Sequence, residues 1–282
     1  MLRFGPNVVK GAGGSRADPR NAPLTPGGCQ NSCAVPPGRN PVRIEGTKSH
    51  LSETGRSRTT YVIGFIGGTG PEGRGLAVRF AAAGHDVVIG SRDHARATDA
   101  AGKVQTILAG IGGAAGVRGA LNSEAAAEAE VVFLAVPYAG MAATLEQLAP
   151  ALAGKVCVNV IAPLSFEGGV PASAPPAAGS AAEEAAQLAP DLRWVSGMHT
   201  LSARDLLDPA APLDTDAIIC GDDDDAKALI TRLIAEIPGL RPVDAGPLQS
   251  ARYLEGATAL LLNINRRYKA HASLKVAGLK IG

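Results

Sequence analysis

Aromatic residues make up only 4% of this 282-residue chain, with a single tryptophan, and there are four cysteines. So few rings argue against a stacking platform for nucleic-acid bases, which needs successive exposed aromatics. Four cysteines at irregular spacing exclude a disulfide framework. Cys29 and Cys33 have no second pair and no nearby histidine to complete a metal site, and no metal is expected. Cys157 and Cys220 fall in apolar runs, as small buried hydrophobes do. No apolar run reaches the length of about 20 residues that a membrane-spanning helix needs, and no signal-peptide core is present. These absences together suit a cytoplasmic protein with neither a membrane nor a nucleic acid as partner.

The net charge of +1 conceals an asymmetry. Residues 1–60 carry nine Lys/Arg against three acids, whereas the remainder carries 18 basic and 23 acidic residues. A mildly acidic body again speaks against a nucleic-acid-binding domain, which should be basic. Residues 1–59 are rich in Pro, Gly, Ser, Asn and Arg without apolar periodicity, so a disordered extension is expected there. A translation start placed upstream of the true one would account for it.

What the chain does have begins at residue 61. Tyr-Val-Ile-Gly-Phe-Ile at 61–66 reads as a buried strand. Gly68, Gly70 and Gly73 then satisfy G-x-G-x-x-G, with Thr69, Pro71 and Glu72 between them. A helical pattern over 74–83 follows, closed by Gly84, and residues 85–90 supply a second strand. Strand, glycine loop, helix and strand form the context in which this motif binds a dinucleotide. The glycines let backbone approach a pyrophosphate, and the helix start offers it unpaired N–H groups. Pro71 suits a first helical turn, where its missing N–H is no loss.

The end of the second strand selects the dinucleotide. An NAD site places an acid there to accept from the ribose 2′-OH. This chain has Ser91 and Arg92, with Arg96 four residues on, so helical spacing would stack two guanidinium groups on one face. A hydroxyl and two arginines fit a 2′-phosphate, so NADP is expected. Asp93 is the dissonant residue and is read as a helix cap.

The alternation continues. A helix is expected over 95–109, a strand over 116–119, and a helix over 124–129 capped by Asn122 and Ser123. Residues 131–137 form an apolar strand of the kind buried in a parallel sheet, and 156–161 another. Val136 and Ala162, at the carboxyl ends of these strands, are placed to flank a nicotinamide. Residues 164–179 read as a Pro/Ala-rich linker. Beyond it come a helix over 180–188 with a Ser180/Glu183 capping box, strands over 193–200, 217–220 and 240–245, and a long apolar helix over 250–268 suited to a domain or subunit contact. Asp222–Asp225 precede a helix and are read as capping it, rather than as a cation site. The expected architecture is α/β: a Rossmann-type doubly wound parallel sheet over 60–163 and a smaller α/β C-terminal domain over 180–282.

Several stretches carry a family resemblance. Ile-Gly-Gly-Thr-Gly-Pro-Glu-Gly-Arg-Gly-Leu-Ala at 66–77 and Gly-His-Asp-Val-Val-Ile-Gly-Ser-Arg at 84–92 resemble the NADP-dependent reductases of the deazaflavin coenzyme F420. So do Val-Ser-Gly-Met-His-Thr at 195–200, Cys-Gly-Asp-Asp-Asp at 220–224, and Gly-Leu-Arg-Pro-Val-Asp-Ala-Gly-Pro-Leu at 239–248. The resemblance implies hydride transfer between NADPH and F420, both bound as substrates; with the apolar face of the 250–268 helix, a homodimer is expected. It also implies that His199, Leu201 and Ala203 line the deazaflavin site. Ser202 departs from the family, where proline is usual.

Carbonyl reduction needs a proton donor for the developing alkoxide, and His199 and Tyr138 are the candidates. Transfer between two rings needs mainly their alignment, so no catalytic residue is assigned beyond a role for His199. Two further readings remain: an NADP-dependent imine or hydroxy-acid reductase, and a non-catalytic NADP-binding redox sensor.

Overall fold

A computed structural model describes residues 48–51, 57–112 and 116–279. The expected extension therefore lies largely outside the described residues. Its last part differs from expectation, because β1 (Lys48–Leu51) and β2 (Ser57–Thr60) pair as an antiparallel hairpin.

The remaining chain builds one eight-stranded sheet. Its strands are β3 (Val62–Ile66), β4 (Asp86–Ser91), β5 (Val117–Leu121), β6 (Val131–Leu134), β7 (Val156–Asn159), β10 (Arg193–Gly197), β11 (Thr215–Cys220) and β12 (Leu240–Asp244). Their order is β12-β11-β10-β7-β6-β3-β4-β5. The six strands from β5 to β10 are mutually parallel, and their order is that of a Rossmann-type doubly wound sheet. β11 runs antiparallel to β10 and carries β12 parallel to itself. The strands after residue 179 thus extend the first sheet instead of forming a second one. The expected linker holds a small antiparallel pair, β8 (Leu164–Ser165) and β9 (Ala172–Ser173).

Burial on both faces explains the apolar strand sequences. Ile63 and Phe65 point to one layer, where Phe65 stacks on Phe133 with ring centroids 5.0 Å apart and Phe80 lies 5.2 Å from Phe133. Ile66, Val132 and Leu134 point to the other. Helices α1 (Pro71–Ala82), α2 (His94–Ala109), α3 (Asn122–Glu128), α4 (Met141–Leu152), α5 (Ala181–Leu188), α6 (Ala203–Leu206), α7 (Asp224–Ala235) and α8 (Ala251–Tyr268) complete the fold. Cys157 and Cys220 are buried, and burial pushes both thiols up to about 12. Asp223 caps α7 by accepting from the Ala226 N–H, while Asp222 accepts from the Leu248 N–H. Parallel pairing brings the carboxyl ends of β3, β4, β6, β7 and β10 to one edge, so the expected site residues converge there.

Candidate functional site

The glycine loop is shaped by close contacts. Gly67 adopts φ 73°, and a Cβ there would stand 2.5 Å from Val136 Cγ1. The Gly68 N–H donates to Phe65 O and Gly90 O at 3.2 and 3.1 Å, and a Cβ at Gly68 would strike Phe65 Cβ at 2.5 Å. A Cβ at Gly73 would meet Gly68 Cα at 2.7 Å, so the helix can close on the turn only as glycine. Gly70 differs, because nothing lies within 4 Å of its Cβ position. It N-caps α1 without a side-chain acceptor, and Pro71 takes the first helical position. The first turn of α1 therefore presents uncapped N–H groups beside open space, the arrangement that receives an anion.

At the end of β4, Ser91 is buried and its hydroxyl accepts from the Asp93 N–H at 3.2 Å. Asp93 accepts from the Ala95 and Arg96 N–H groups and caps α2, as its sequence context implied. That cap corrects the expected stacking of the arginines. Arg92 precedes the cap, so it is outside the helix, and helical i,i+4 spacing does not relate it to Arg96. Both residues are exposed, and neither guanidinium has a partner among the described residues.

The opposite wall comes from β6, β7 and β10. Val136 and Ala162 are half-buried just beyond β6 and β7. After β10 the chain turns through Met198, a non-glycine residue at φ 66°, into His199. His199 is 7% exposed; its Nε2 lies 3.5 Å from Ser196 Oγ, and its buried Nδ1 has no partner. Leu201 is buried beside Met198 and Leu206 in the core, and Ala203 is half-buried at the start of α6. Ser202 caps α6 by accepting from the Asp205 N–H, which gives the departure from the family's proline a local structural role.

Residues 62–163 match a family described as NADP oxidoreductase, coenzyme F420-dependent. The F420-dependent NADP reductase of Methanothermobacter marburgensis is 40% identical over 223 residues, covering 78% of this chain and 97% of that protein. That of Methanocaldococcus jannaschii is 35% identical, with 78% and 99% covered. The chain belongs to the family of F420-dependent NADP reductases. A crystal structure from Arthrobacter sp. FB24, assigned to the same activity, superposes with a TM-score of 0.65 at 28% identity, covering 77% of this chain and 99% of that one.

Burial pulls the His199 imidazole down to about 4, so it is neutral at pH 7. The Tyr138 hydroxyl donates to Glu184 at 2.6 Å, and that bond, with burial, pushes it up to about 12. Burial also pushes Glu72, in the first turn of α1, up to about 8, and its Oε1 has no partner. A neutral carboxyl in that turn does not repel a phosphate. Open space at Gly70, uncapped helix N–H groups and two unpartnered arginines fit NADP.

Sequence reasoning missed one residue of this loop. Asn122 does not cap α3; its Oδ1 accepts from the Gly67 N–H at 3.0 Å. Gly90 makes room for it, since a Cβ there would stand 2.8 Å from Asn122 Oδ1. The α3 start is bonded instead by Glu124, which accepts from the Leu121 N–H.

Proposed function

We propose that the protein passes a hydride reversibly between NADPH and the deazaflavin of coenzyme F420. The observation that carries this reading is the pairing of an NADP-shaped loop with a wall on which, among the described residues, His199 is neutral and the Tyr138 hydroxyl is bonded to Glu184. A neutral His199 and a Tyr138 committed to Glu184 are poorly placed to protonate an alkoxide, as imine or hydroxy-acid reduction would require. The protein's task is then to hold two substrates with reacting carbons at short range. Gly68, Thr69, Gly70, Pro71, Glu72 and Gly73 hold the pyrophosphate end, Ser91, Arg92 and Arg96 the 2′-phosphate, and Val136 and Ala162 the nicotinamide. His199, Leu201 and Ala203 bound the deazaflavin.

Mixing the protein with C4-deuterated NADPH and oxidised F420 in ordinary water tests the reading. The deazaflavin absorbance should fall and the label should appear on F420. Label in solvent would rule out direct transfer, and an absence of any turnover would favour a redox sensor. His199→Ala should slow turnover about tenfold to a hundredfold, as misplacement does, without abolishing it.

The C-terminal part completes the deazaflavin side and supplies a contact between two copies in a homodimer. On α8, Tyr253, Ala257, Leu260 and Ile264 form one stripe, with Tyr253 77% and Leu260 57% exposed. Exposed Phe166 and Val170 lie in the neighbouring β8–β9 hairpin, which α8 holds through Asn263 and Arg266. Among the described residues no helix is long and apolar enough to cross a membrane, and a cytoplasmic location suits the buried thiols. Sedimentation of Leu260→Glu should show monomers if the stripe is the dimer contact.

A further inference from the structure

Arg79 lies on α1 at 2% exposure, where an arginine is rarely found unpaired, and the Asp208 and Asp205 carboxylates nearby favour its charge against the cost of burial. Its guanidinium donates to four main-chain carbonyls of one segment. Nε reaches Leu206 O at 3.0 Å, Nη1 reaches Ala211 O at 2.8 Å, and Nη2 reaches Asp205 O and Asp208 O, both at 2.5 Å. These carbonyls lie at and beyond the C-terminal end of α6, and two of them, Asp205 O and Asp208 O, also accept from the Asp208 and Ala211 N–H groups, so the guanidinium bonds to turns that are already formed. One turn earlier on the same face of α1, Gly75 admits Leu206. A Cβ at Gly75 would stand 2.6 Å from Leu206 Cβ and 3.2 Å from Ala203 O. Helix α6 is thereby pressed flat on α1 and anchored by a buried charge.

The two ends of this assembly matter for the reaction. Helix α1 starts in the glycine loop at Gly70, and α6 starts directly after Leu201 and Ser202. A rigid path therefore runs from the pyrophosphate loop along α1, through Arg79, into α6 and back to the His199–Leu201 turn. Helices do not stretch, so the α1–α6 contact sets how far the deazaflavin wall stands from the nicotinamide side.

We propose that Arg79 is a positioning residue for hydride transfer, fixing the spacing between the NADP loop and the deazaflavin wall through the backbone of α6. The proposal rests on the functional reading above. It requires no contact between Arg79 and either substrate. The guanidinium fork is needed because its donors diverge in one plane, whereas an ammonium offers three donors from a single point.

Two variants perturb the contact independently. Arg79→Lys removes the fork but keeps the charge. Gly75→Ala leaves Arg79 intact and wedges α6 outward, while alanine's higher helix propensity works against any loss of fold. In both, NADPH affinity should stay within about twofold of wild type, because the loop glycines are untouched. Hydride transfer in a single turnover at saturating NADPH and F420 should fall about tenfold or more, since a displacement near 1 Å can cost a hundredfold. A merely structural role would lower the melting temperature and leave that rate alone. If Arg79→Lys does not fold, Gly75→Ala decides. A transfer rate within twofold of wild type in folded Gly75→Ala would overturn the proposal, as would a tenfold loss of NADPH affinity accompanying the slower transfer. A wild type that transfers no hydride to F420 would overturn the functional reading and this inference together.

Discussion

Replacing Arg92 and Arg96 together with alanine should separate NADPH from NADH. Both guanidinium groups are exposed and have no partner among the described residues, so their removal leaves no buried charge unpaired. The loss is then the interaction with the 2′-phosphate itself. Hydrogen bonds to charged groups contribute about 1.5–3 kcal/mol each, and exposure and salt push the pair toward the lower bound. A combined loss of about 3 kcal/mol corresponds to about 150-fold in Kd for NADPH. NADH carries no 2′-phosphate and should change by less than about twofold on the same reasoning. Asp93 does not offset the effect in the wild type, because its carboxylate is engaged by the Ala95 and Arg96 N–H groups. Calorimetric titration of both nucleotides, at two ionic strengths, measures this directly. The NADPH loss should shrink as salt rises. Equal weakening of both nucleotides would refute the 2′-phosphate assignment and make the arginines structural.

Other groups respond to pH or truncation in ways the structure specifies. Glu72 is held up to about 8 from its ordinary 4.5, so between those values the folded chain keeps a proton that the unfolded chain releases. Stability from this site falls as pH rises through that window and levels off above it, by at most about 5 kcal/mol; Glu72→Gln should flatten the melting-temperature profile there. Asp223 goes the other way: its hydrogen bonds from Arg193, then from the Ala226 N–H, hold it down to about 2, so its contribution is present above 3.8 and lost as pH falls through 2. Asp223→Ala should lower stability by about 1–2 kcal/mol near pH 7, as lost caps do, with the difference vanishing in acid unfolding below pH 2. Asn122→Ala removes the acceptor of the Gly67 N–H and should weaken NADPH about threefold to tenfold, the equivalent of one neutral hydrogen bond, in the same titration.

The dinucleotide half of the fold is legible because its determinants are local. The strand-loop-helix-strand order shows in the apolar runs at 62–66 and 86–91, and the cap at Asp93 reaches only two and three residues along the chain. The same locality explains what was misjudged. Arg92 and Arg96 satisfy helical spacing in sequence, yet a cap between them starts the helix two residues too late for both to share it. The C-terminal strands read as strands in sequence, but no periodicity indicates which sheet a strand joins. β11 joins β10 antiparallel through the pairs Ser196–Cys220 and Gly197–Ile219, and a Cβ at Gly197 would stand 2.4 Å from Ile218 O. The close approach that carries the sheet past residue 179 thus depends on a glycine whose reason is invisible until its neighbour is known.

The site shows the same division more sharply. Gly68, Gly70 and Gly73 announce themselves by spacing, because the turn they make is completed within six residues. Asn122 and Arg79 do their work on partners 55 and 127 residues away; the local context of Asn122 suggests a cap, and nothing near Arg79 in sequence points to its partners. Asn122 stands where a cap belongs, immediately after β5, but there its side chain can also reach the Gly67 N–H. The Gly67 N–H needs an acceptor inside the turn, whereas the start of α3 can be satisfied by Glu124. Competition of this kind favours the acceptor whose absence would leave the loop N–H unsatisfied in a partly buried turn. The residues whose roles sequence patterns do not reveal are thus those bonding across elements: Asn122 onto the glycine loop at Gly67, and Arg79 onto the chain at the end of α6.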